Sequence, residues 1–355
     1  MARDRSAIPA AWLPLRRLRY VHDGLPGIRR RRCGQGYCYT LERGRRRVSR
    51  DELRRIRALA IPPAWRGVWI CLYPDGHLQA TGRDARKRKQ YRYHPLYREL
   101  QDSAKFTRIK EFARALPAIR RRTAADLSRP GLGRRKILAL IVRLLETTLV
   151  RVGNAEYARA NESFGLTTMR DRHMRVVGAD RVKFMFKGKS GVLHEVYIDD
   201  PKLGRLIRRC QELPGQELFQ YVDERSVVRD VDSNDVNMYL RALSGAAFTA
   251  KDFRTWQGTM LAALLLERME GVGSSLRRRR RDVLQVVKEV AAELRNTAAT
   301  CRKYYIHPGI LQAYEQGRLR RLLREGRARR HALRGLRSDE RAVLHVLDHI
   351  ETAPI

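Results

Sequence analysis

Arginine, lysine and tyrosine side chains can together break a phosphodiester bond without a metal ion. The planar guanidinium of arginine donates two hydrogen bonds to a phosphoryl group and stays charged at any working pH. A lysine can protonate the leaving oxygen as a general acid, and a tyrosine can act as the covalent nucleophile. The chain contains 75 Lys and Arg residues and 14 Tyr residues. These types are so common here that composition alone does not select the reacting ones.

The net charge narrows the class of partner. The 75 Lys and Arg residues face 38 Asp and Glu residues, so the formal charge of the 355-residue chain is +37. This excess argues against a generic metabolic enzyme and indicates a polyanionic partner, with nucleic acid favoured over the competing membrane surface. Because 43% of the residues are apolar, the chain can still bury one or two hydrophobic cores.

Six segments of distinctive sequence follow one another along the chain. They read Ile-Pro-Pro-Ala-Trp at 61–65, Arg-Lys-Gln-Tyr-Arg-Tyr-His-Pro at 88–95, Arg-Val-Gly-Asn at 151–154 with Asn-Glu-Ser-Phe-Gly-Leu-Thr-Thr at 161–168, Phe-Lys-Gly-Lys-Ser-Gly at 186–191, Phe-Thr-Ala-Lys-Asp-Phe-Arg-Thr-Trp at 248–256, and Tyr-Tyr-Ile-His-Pro at 304–308. In order and separation they resemble the bacterial, poxvirus-like branch of the type IB DNA topoisomerases. The resemblance covers roughly residues 18–315.

The resemblance implies a catalytic role for each matching residue. Tyr305 would be the nucleophile, forming a 3′-phosphotyrosyl link and leaving a free 5′-hydroxyl. Arg151 and Arg254 would stabilise the non-bridging oxygens in the transition state. Lys189, at a hairpin tip, would protonate the 5′-oxygen, and Lys251 would assist. Since the covalent link conserves the phosphodiester energy, resealing would need no ATP. No metal ion is expected as cofactor, because the fixed positive charges of arginine and lysine would neutralise the phosphoryl oxygens.

Three positions qualify this assignment. Many members of the family carry a histidine nine residues before the nucleophile, where this chain has Asn296. An amide donates a hydrogen bond to phosphate but transfers no proton, so we assign Asn296 that hydrogen bond only. Tyr304 is the alternative nucleophile, and the choice of Tyr305 depends on its adjacency to the Ile-His-Pro string. Lys87 stands where the family usually has glycine, which puts the shape of that turn in question.

Six further residues are predicted to contact DNA: Arg88, Lys89, Gln90, Tyr91, Tyr93 and Tyr157. Amide and aromatic side chains in a basic stretch suit contacts to the groove and backbone of a duplex. The alternative is that alternate tyrosines of a strand only pack against their neighbours. The histidines at 173, 194 and 307 are predicted to be structural. The arginine-rich runs at 277–281 and 318–337 are interpreted as solvated faces or phosphate contacts.

Two patterns of periodicity predict the elements that position these residues. Short β-type segments at 18–21, 36–40 and 67–72, a hairpin over 68–81 and one helix near 50–59 predict a small β-rich N-terminal domain. Helical spacing of apolar residues follows at 137–149, 256–270 and 283–294, the second helix ending at glycines 271 and 273. Between the first two helices, strands at 173–177, 182–186 and 192–198 enclose a hairpin tip at 188–191.

The predicted fold class is α+β, with a small β-sheet-rich N-terminal domain and a larger, mainly helical catalytic domain containing a small antiparallel sheet. The predicted divisions are a basic arm at 1–17, a DNA-clamp domain at 18–103, the catalytic domain at 104–317 and an arginine-rich helical extension at 318–355. Ser233 is expected to cap the helix that follows it. The five scattered cysteines are interpreted as reduced thiols.

The predicted function is relaxation of double-stranded DNA by a monomeric clamp. No segment has the apolar length of a membrane span, so we expect no membrane partner and a cytoplasmic, nucleoid-associated protein. A tyrosine recombinase is the runner-up, although recombinases usually place histidine where this chain has Lys251. A non-enzymatic DNA-compacting protein is the third reading, and it would not require the ordered catalytic segments.

Overall fold

The computed structural model describes residues 18–41, 48–85, 87–178, 180–269, 275–329 and 334–350. The chain divides between Phe106 and Thr107 into two compact units. The domain boundaries predicted at 103 and 317 stay predictions, and the basic arm predicted at 1–17 lies outside the described residues.

The first unit is built on one antiparallel sheet. Its elements are β1 (Ile28–Cys33), β2 (Gly36–Leu41), α1 (Arg50–Ala58), β3 (Arg66–Ile70), β4 (Leu78–Arg83) and β5 (Lys89–Tyr93), with the strand order β2-β1-β3-β4-β5. Successive side chains of a strand point to opposite faces of a sheet. Val68 and Ile70 accordingly pack with Ile56 of α1, while Trp69 packs with Leu78 in a second cluster.

Two local predictions for this unit hold and one is wrong. The helix near 50–59 and the hairpin over 68–81 are confirmed by α1 and by the pairing of β3 with β4. The strand predicted at 18–21 does not form, because Arg19 alone makes a bridge, to Gly76. Strand β1 escaped prediction because its Ile-Arg-Arg-Arg-Arg-Cys sequence does not alternate. It forms because β2 and β3 pair with it on its two sides.

A disulfide crosses the first hairpin. Cys33 and Cys38 are bonded, with their Cα atoms 5.7 Å apart. The prediction of reduced thiols is therefore wrong for this pair. The antiparallel pairing of β1 with β2 brings the two cysteines within bonding distance, which their spacing alone did not show. The other three cysteines, Cys71, Cys210 and Cys301, are free and buried.

The second unit is mainly helical. Helix α2 (Pro95–Leu127) continues into it and is followed by α3 (Arg134–Thr148), α4 (Ala155–Asn161), β6 (Met174–Val177), β7 (Arg181–Lys187), β8 (Leu193–Ile198), α5 (Pro201–Gln211), β9 (Gln220–Val222), β10 (Val228–Asp230), α6 (Ser233–Ser244), α7 (Ala250–Met269), α8 (Leu276–Glu293), α9 (Ala298–Tyr304), α10 (Pro308–Glu315), α11 (Leu319–Ala328) and α12 (Ser338–Asp348). None of the described helices is long and apolar enough to cross a membrane.

The predicted fold class is confirmed, including the small antiparallel sheet β6-β7-β8 within the helical unit. The helical periodicities correspond to α3, α7 and α8, whose apolar faces belong to one large core. Asp232, not Ser233, caps α6, because its side chain accepts the backbone N–H of Asp235. The glycines expected to end α7 lie outside the described residues.

Candidate active site

A cavity of about 310 Å³ in the second unit collects most of the predicted catalytic residues. Its lining includes Arg151, Asn154, Tyr157, Phe164, Lys189, Lys251, Arg254 and Tyr305. These residues come from four separate parts of the chain. The structure therefore brings together all of the predicted catalytic side chains except Asn296, which contacts the cavity through Arg151.

Arg151 lies in the loop that follows α3. That helix ends where Leu149 adopts a left-handed conformation, and the chain then turns toward the cavity. The Arg151 Nη2 atom donates to the Oδ1 atom of Asn296 over 2.8 Å and to the carbonyl oxygen of Arg295 over 3.4 Å. Burial lowers the pKa of the guanidinium, and Tyr305 acts in the opposite direction. Arg151 is thus oriented before any substrate arrives.

Arg254 is held by two helix ends. It lies in the second turn of α7 and is 4% exposed. Its Nη1 donates to the carbonyl of Leu149, and its Nη2 donates to the carbonyl of Leu294 over 2.6 Å. Burial and the charge of Arg151 lower its pKa to about 10. The half-buried Arg151 and the buried Arg254 thus place two like charges close together, and a bound anion would stabilise both.

Tyr305 caps the C-terminal end of α9, and its ring centroid lies 5.4 Å from the Cζ atom of Arg254. Gly258, one turn after Arg254 on α7, permits this approach. A Cβ atom at Gly258 would lie 2.6 Å from the carbonyl oxygen of Tyr305. The hydroxyl of Thr259 accepts the backbone N–H of His307 over 3.1 Å and secures the segment beyond the tyrosine.

Tyr304 has a different environment from its neighbour. Its ring centroid lies near two ammonium groups, 5.9 Å from Lys251 Nζ and 5.4 Å from Lys303 Nζ. Tyr305 lines the cavity with the two arginines, whereas Tyr304 is not among the lining residues. This difference favours Tyr305 as the nucleophile, on grounds that the adjacent sequence could not supply.

Lys189 occupies the predicted hairpin tip between β7 and β8. The turn is closed by the Gly188 N–H, which donates to the carbonyl of Val192 over 2.8 Å. Ser190 adopts a left-handed conformation, with φ of 65°. Beneath the tip, His194 leaves no room for a side chain at Gly188, where a Cβ atom would lie 2.4 Å from Nε2. The exposed Lys189 side chain therefore extends from a tightly packed base.

His194 adds an uncharged ring to this cationic region. It is 5% exposed and stacks on Phe186, with ring centroids 4.8 Å apart. Burial, together with the charges of Arg295, Arg151 and Arg254, lowers its pKa to about 4. The ring is consequently neutral near pH 7, as expected for the structural role predicted from the sequence.

The residues predicted to contact DNA fall in two places. Tyr157 lines the cavity, while the other five lie on or just before β5. Tyr91 and Tyr93 stack, with centroids 5.9 Å apart. Lys89 Nζ pairs with Asp23 over 2.7 Å, and both Arg88 and Gln90 donate to Asp84. Their contact with DNA stays a prediction.

Lys87 lies in the turn before β5. It adopts a left-handed conformation with φ of 60°, which glycine would adopt at a lower cost in free energy.

Sequence reasoning did not identify Gly258, Thr259 or Arg295. Gly258 and Thr259 lie on α7 and seat the Tyr305 segment, and Arg295 precedes Asn296 in a left-handed conformation with φ of 47°. Only the adjacency of Arg295 to Asn296 could have drawn attention to it.

Comparison with known proteins places this geometry in a family. Residues 90–326 match the family model described as the catalytic core of eukaryotic DNA topoisomerase I. Residues 36–84 match the model of the N-terminal domain of bacterial DNA topoisomerase IB. The first match includes every residue that lines the cavity.

Viral relatives agree with these matches. The chain is 29% identical over 303 residues to DNA topoisomerase 1B of Acanthamoeba polyphaga mimivirus, covering 82% of this chain and 88% of that protein. It is 27% identical over 155 residues to DNA topoisomerase I of monkeypox virus and to DNA topoisomerase 1B of vaccinia virus, covering 41% of this chain and 48% of each relative. The family-model matches and the ordered catalytic segments establish that the chain belongs to the type IB DNA topoisomerases.

Proposed function

We propose that this chain relaxes supercoiled duplex DNA by cutting and resealing one strand through Tyr305, without ATP or a metal ion. The observation that carries the proposal is the meeting of Tyr305, Arg151, Arg254 and Lys189 in one cavity, with Arg254 5.4 Å from the Tyr305 ring. Two guanidinium groups can there balance the negative charge that develops on the phosphoryl oxygens.

In the cleavage step the Tyr305 oxygen attacks the scissile phosphorus. The bond from phosphorus to the tyrosine oxygen forms as the bond to the 5′-oxygen breaks, and the tyrosine proton passes to solvent water. Lys189 donates a proton to the departing 5′-oxygen. Arg151 and Arg254 bind the non-bridging oxygens, Asn296 adds a hydrogen bond, and Lys251 supplies further positive charge.

Resealing is the reverse reaction. The 5′-hydroxyl attacks the phosphorus and gives its proton to Lys189. As the bond from the 5′-oxygen to phosphorus forms, the bond to the tyrosine oxygen breaks, and the Tyr305 phenolate regains a proton from solvent water. One phosphoester replaces another in each direction, so the chemistry needs no energy source. Between the two steps the free strand end rotates about the intact strand, and supercoils of either sign are released.

The residues on and before β5 would hold the duplex while this occurs. We propose a monomer whose N-terminal domain (18–103) and catalytic domain (104–317) both bind the same duplex, in the cytoplasm and on chromosomal DNA. The excess positive charge supports binding of both domains to DNA, because it favours phosphate contacts that are largely independent of sequence and depend steeply on salt concentration. Light scattering of the protein bound to a short duplex would measure the stoichiometry, and two protein molecules per duplex would contradict a monomeric clamp.

Plasmid relaxation tests the catalytic proposal. We expect the wild-type protein to relax positively and negatively supercoiled plasmid in EDTA without ATP, and to form a covalent DNA adduct after denaturation. Tyr305→Phe should bind DNA and give neither relaxation nor adduct. The matched control is Tyr304→Phe, which should retain both. Loss in Tyr304→Phe with normal activity in Tyr305→Phe would reverse the assignment.

A further inference from the structure

The turn between α8 and α9 connects three parts of the active site. Arg254 donates to the carbonyl of Leu294 over 2.6 Å, and Arg151 donates to the carbonyl of Arg295 and to the side chain of Asn296. Consecutive residues 294–296 therefore accept hydrogen bonds from both proposed phosphate-binding arginines. The turn therefore holds the side chains of both arginines in place.

The side chain of Arg295 extends from this turn to the hairpin. Its Nη1 donates to the carbonyl of Leu193, the first residue of β8. The residue after Leu193 is His194, whose ring packs directly beneath Gly188. Gly188 is in turn the residue before Lys189. A single side chain thus links the phosphate-binding turn to the base of the hairpin that carries the proposed general acid.

The backbone at this position closes the C-terminal end of α8. The N–H groups of Arg295 and Asn296 donate to the carbonyl oxygens of Ala292 and Ala291, and Arg295 has φ of 47°. Glycine and asparagine adopt this left-handed conformation most readily. The helix end accounts for the conformation, and the contact of the side chain with Leu193 is what the arginine adds to it.

We propose that Arg295 is a positioning residue that fixes the Lys189 hairpin to the Asn296 turn, so that the general acid and the phosphate-binding groups act on the same phosphodiester. Arg295 acts through Lys189 and does not itself transfer a proton. The inference rests on the proposed function, because it requires Lys189 to be the general acid.

The first experiment separates positioning from folding. Arg295→Gly and Arg295→Asn both remove the link and both suit a left-handed backbone, so we expect thermal unfolding temperatures equal to or above the wild-type value. The rate of single-turnover cleavage of a duplex should fall by about 10- to 100-fold, since misplacement of a catalytic group by an ångström has effects of that size. Arg295→Lys keeps the positive charge but lacks the guanidinium group. Its cleavage rate should lie between the wild-type rate and that of Arg295→Gly.

The second experiment identifies the step that is lost. A duplex with sulfur in place of the 5′-bridging oxygen, placed at a cleavage site mapped by adduct trapping, has a leaving group that departs without protonation. Cleavage of this duplex by Arg295→Gly should return to within a few-fold of the wild-type rate, about the precision of such comparisons. If the loss persists with sulfur, or if the oxygen duplex is cleaved at the wild-type rate, the positioning role is wrong.

Matched control variants distinguish a failure of the proposed function from a failure of the proposed role of Arg295. Lys189→Ala should be slow on the oxygen duplex and restored by sulfur, whereas Arg151→Ala should be slow on both. Lys189→Ala that sulfur does not restore would contradict the general-acid role, and with it the proposed function, irrespective of Arg295. Lys189→Ala restored by sulfur beside Arg295→Gly that is not restored would contradict the inference on Arg295 alone.

Discussion

The Nη2 atom of Arg151 donates to the Oδ1 atom of Asn296 over 2.8 Å. Because an arginine side chain has no acceptor, the atom that faces it must be the amide oxygen, and this contact assigns the orientation of the amide. The Nδ2 group of Asn296 is then a donor, and it is buried without a hydrogen-bond partner among the described residues. A buried donor without a partner is costly, so a phosphoryl oxygen is a fitting ligand for it.

This geometry makes the charge of residue 296 decisive. Asn296→Ala should lower the cleavage rate by about 100- to 1,000-fold, because one donor to the transition state is lost. Asn296→Asp should be slower still, since a carboxylate would pair with Arg151 and repel the phosphate. Single-turnover cleavage of a duplex measures both. Asn296→His keeps a donor and serves as the control; Asn296→Asp cleaving faster than Asn296→Ala would contradict the assigned hydrogen bond.

Gly258 should be required for the position of the nucleophile. A Cβ atom there would lie 2.6 Å from the Tyr305 carbonyl oxygen, a backbone atom that can move only with its segment. We expect Gly258→Ala to reduce cleavage by about 10-fold or more while DNA affinity in a filter-binding assay changes little. The control is Gly133→Ala, because a Cβ atom there would meet nothing within 4 Å and the backbone φ is −70°. Normal cleavage by Gly258→Ala would show that the segment adjusts freely.

A buried ion network should hold helix α12 to the second unit. Arg120 on α2 donates to Glu146 of α3 over 2.7 Å and to Glu340 of α12 over 2.8 Å, and Glu340 is 3% exposed. Glu340→Ala removes one of the two carboxylates that pair with the Arg120 guanidinium, so it should lower the free energy of unfolding by about 3 kcal/mol.

The more exposed pair of Arg114 with Asp348 provides the control for this network. Asp348→Ala removes an ion pair that solvent screens, and it should cost less than about 1 kcal/mol. Urea denaturation of both variants measures the difference. Equal losses would mean that the network of Arg120 does not anchor α12.

Acid should destabilise the protein through two buried histidines. Burial and neighbouring arginines lower the pKa of His194 to about 4, and burial followed by Arg172 and Arg170 does the same for His173. An unfolded histidine titrates near 6.5. Between about pH 6.5 and 4 the unfolded chain therefore binds protons that the folded chain does not, and stability falls as the pH falls.

Each histidine can contribute up to about 1.4 kcal/mol per pH unit in that window. Thermal unfolding measured from pH 7.5 to 5 should show the unfolding temperature falling with pH. In His194→Gln the unfolding temperature should fall less steeply with pH. A variant with the wild-type slope would show that His194 is protonated in the folded protein.

Local sequence determined the elements and the chemistry. The helical periodicities of α3, α7 and α8 and the hairpin tip at Lys189 depend on residues close together in the chain, and so they were predictable. The ordered segments likewise predicted Tyr305, Arg151 and Arg254 as the reacting residues, through their resemblance to the type IB topoisomerases. The strand β1 and the disulfide of its Cys33 were missed, since both depend on pairing with a strand that comes later.

Tertiary structure alone decided how the reacting groups meet. Sequence does not state that Arg151 faces the amide oxygen of Asn296, that Gly258 admits the Tyr305 carbonyl, or that Arg295 reaches Leu193. These contacts join residues from 47 to 145 positions apart, and they exist only because the helices and the hairpin pack around one core. The sequence by itself predicted which side chains can act on a phosphodiester. Packing decided which atoms of these side chains contact one another, and which neighbouring atoms must move when a residue is replaced.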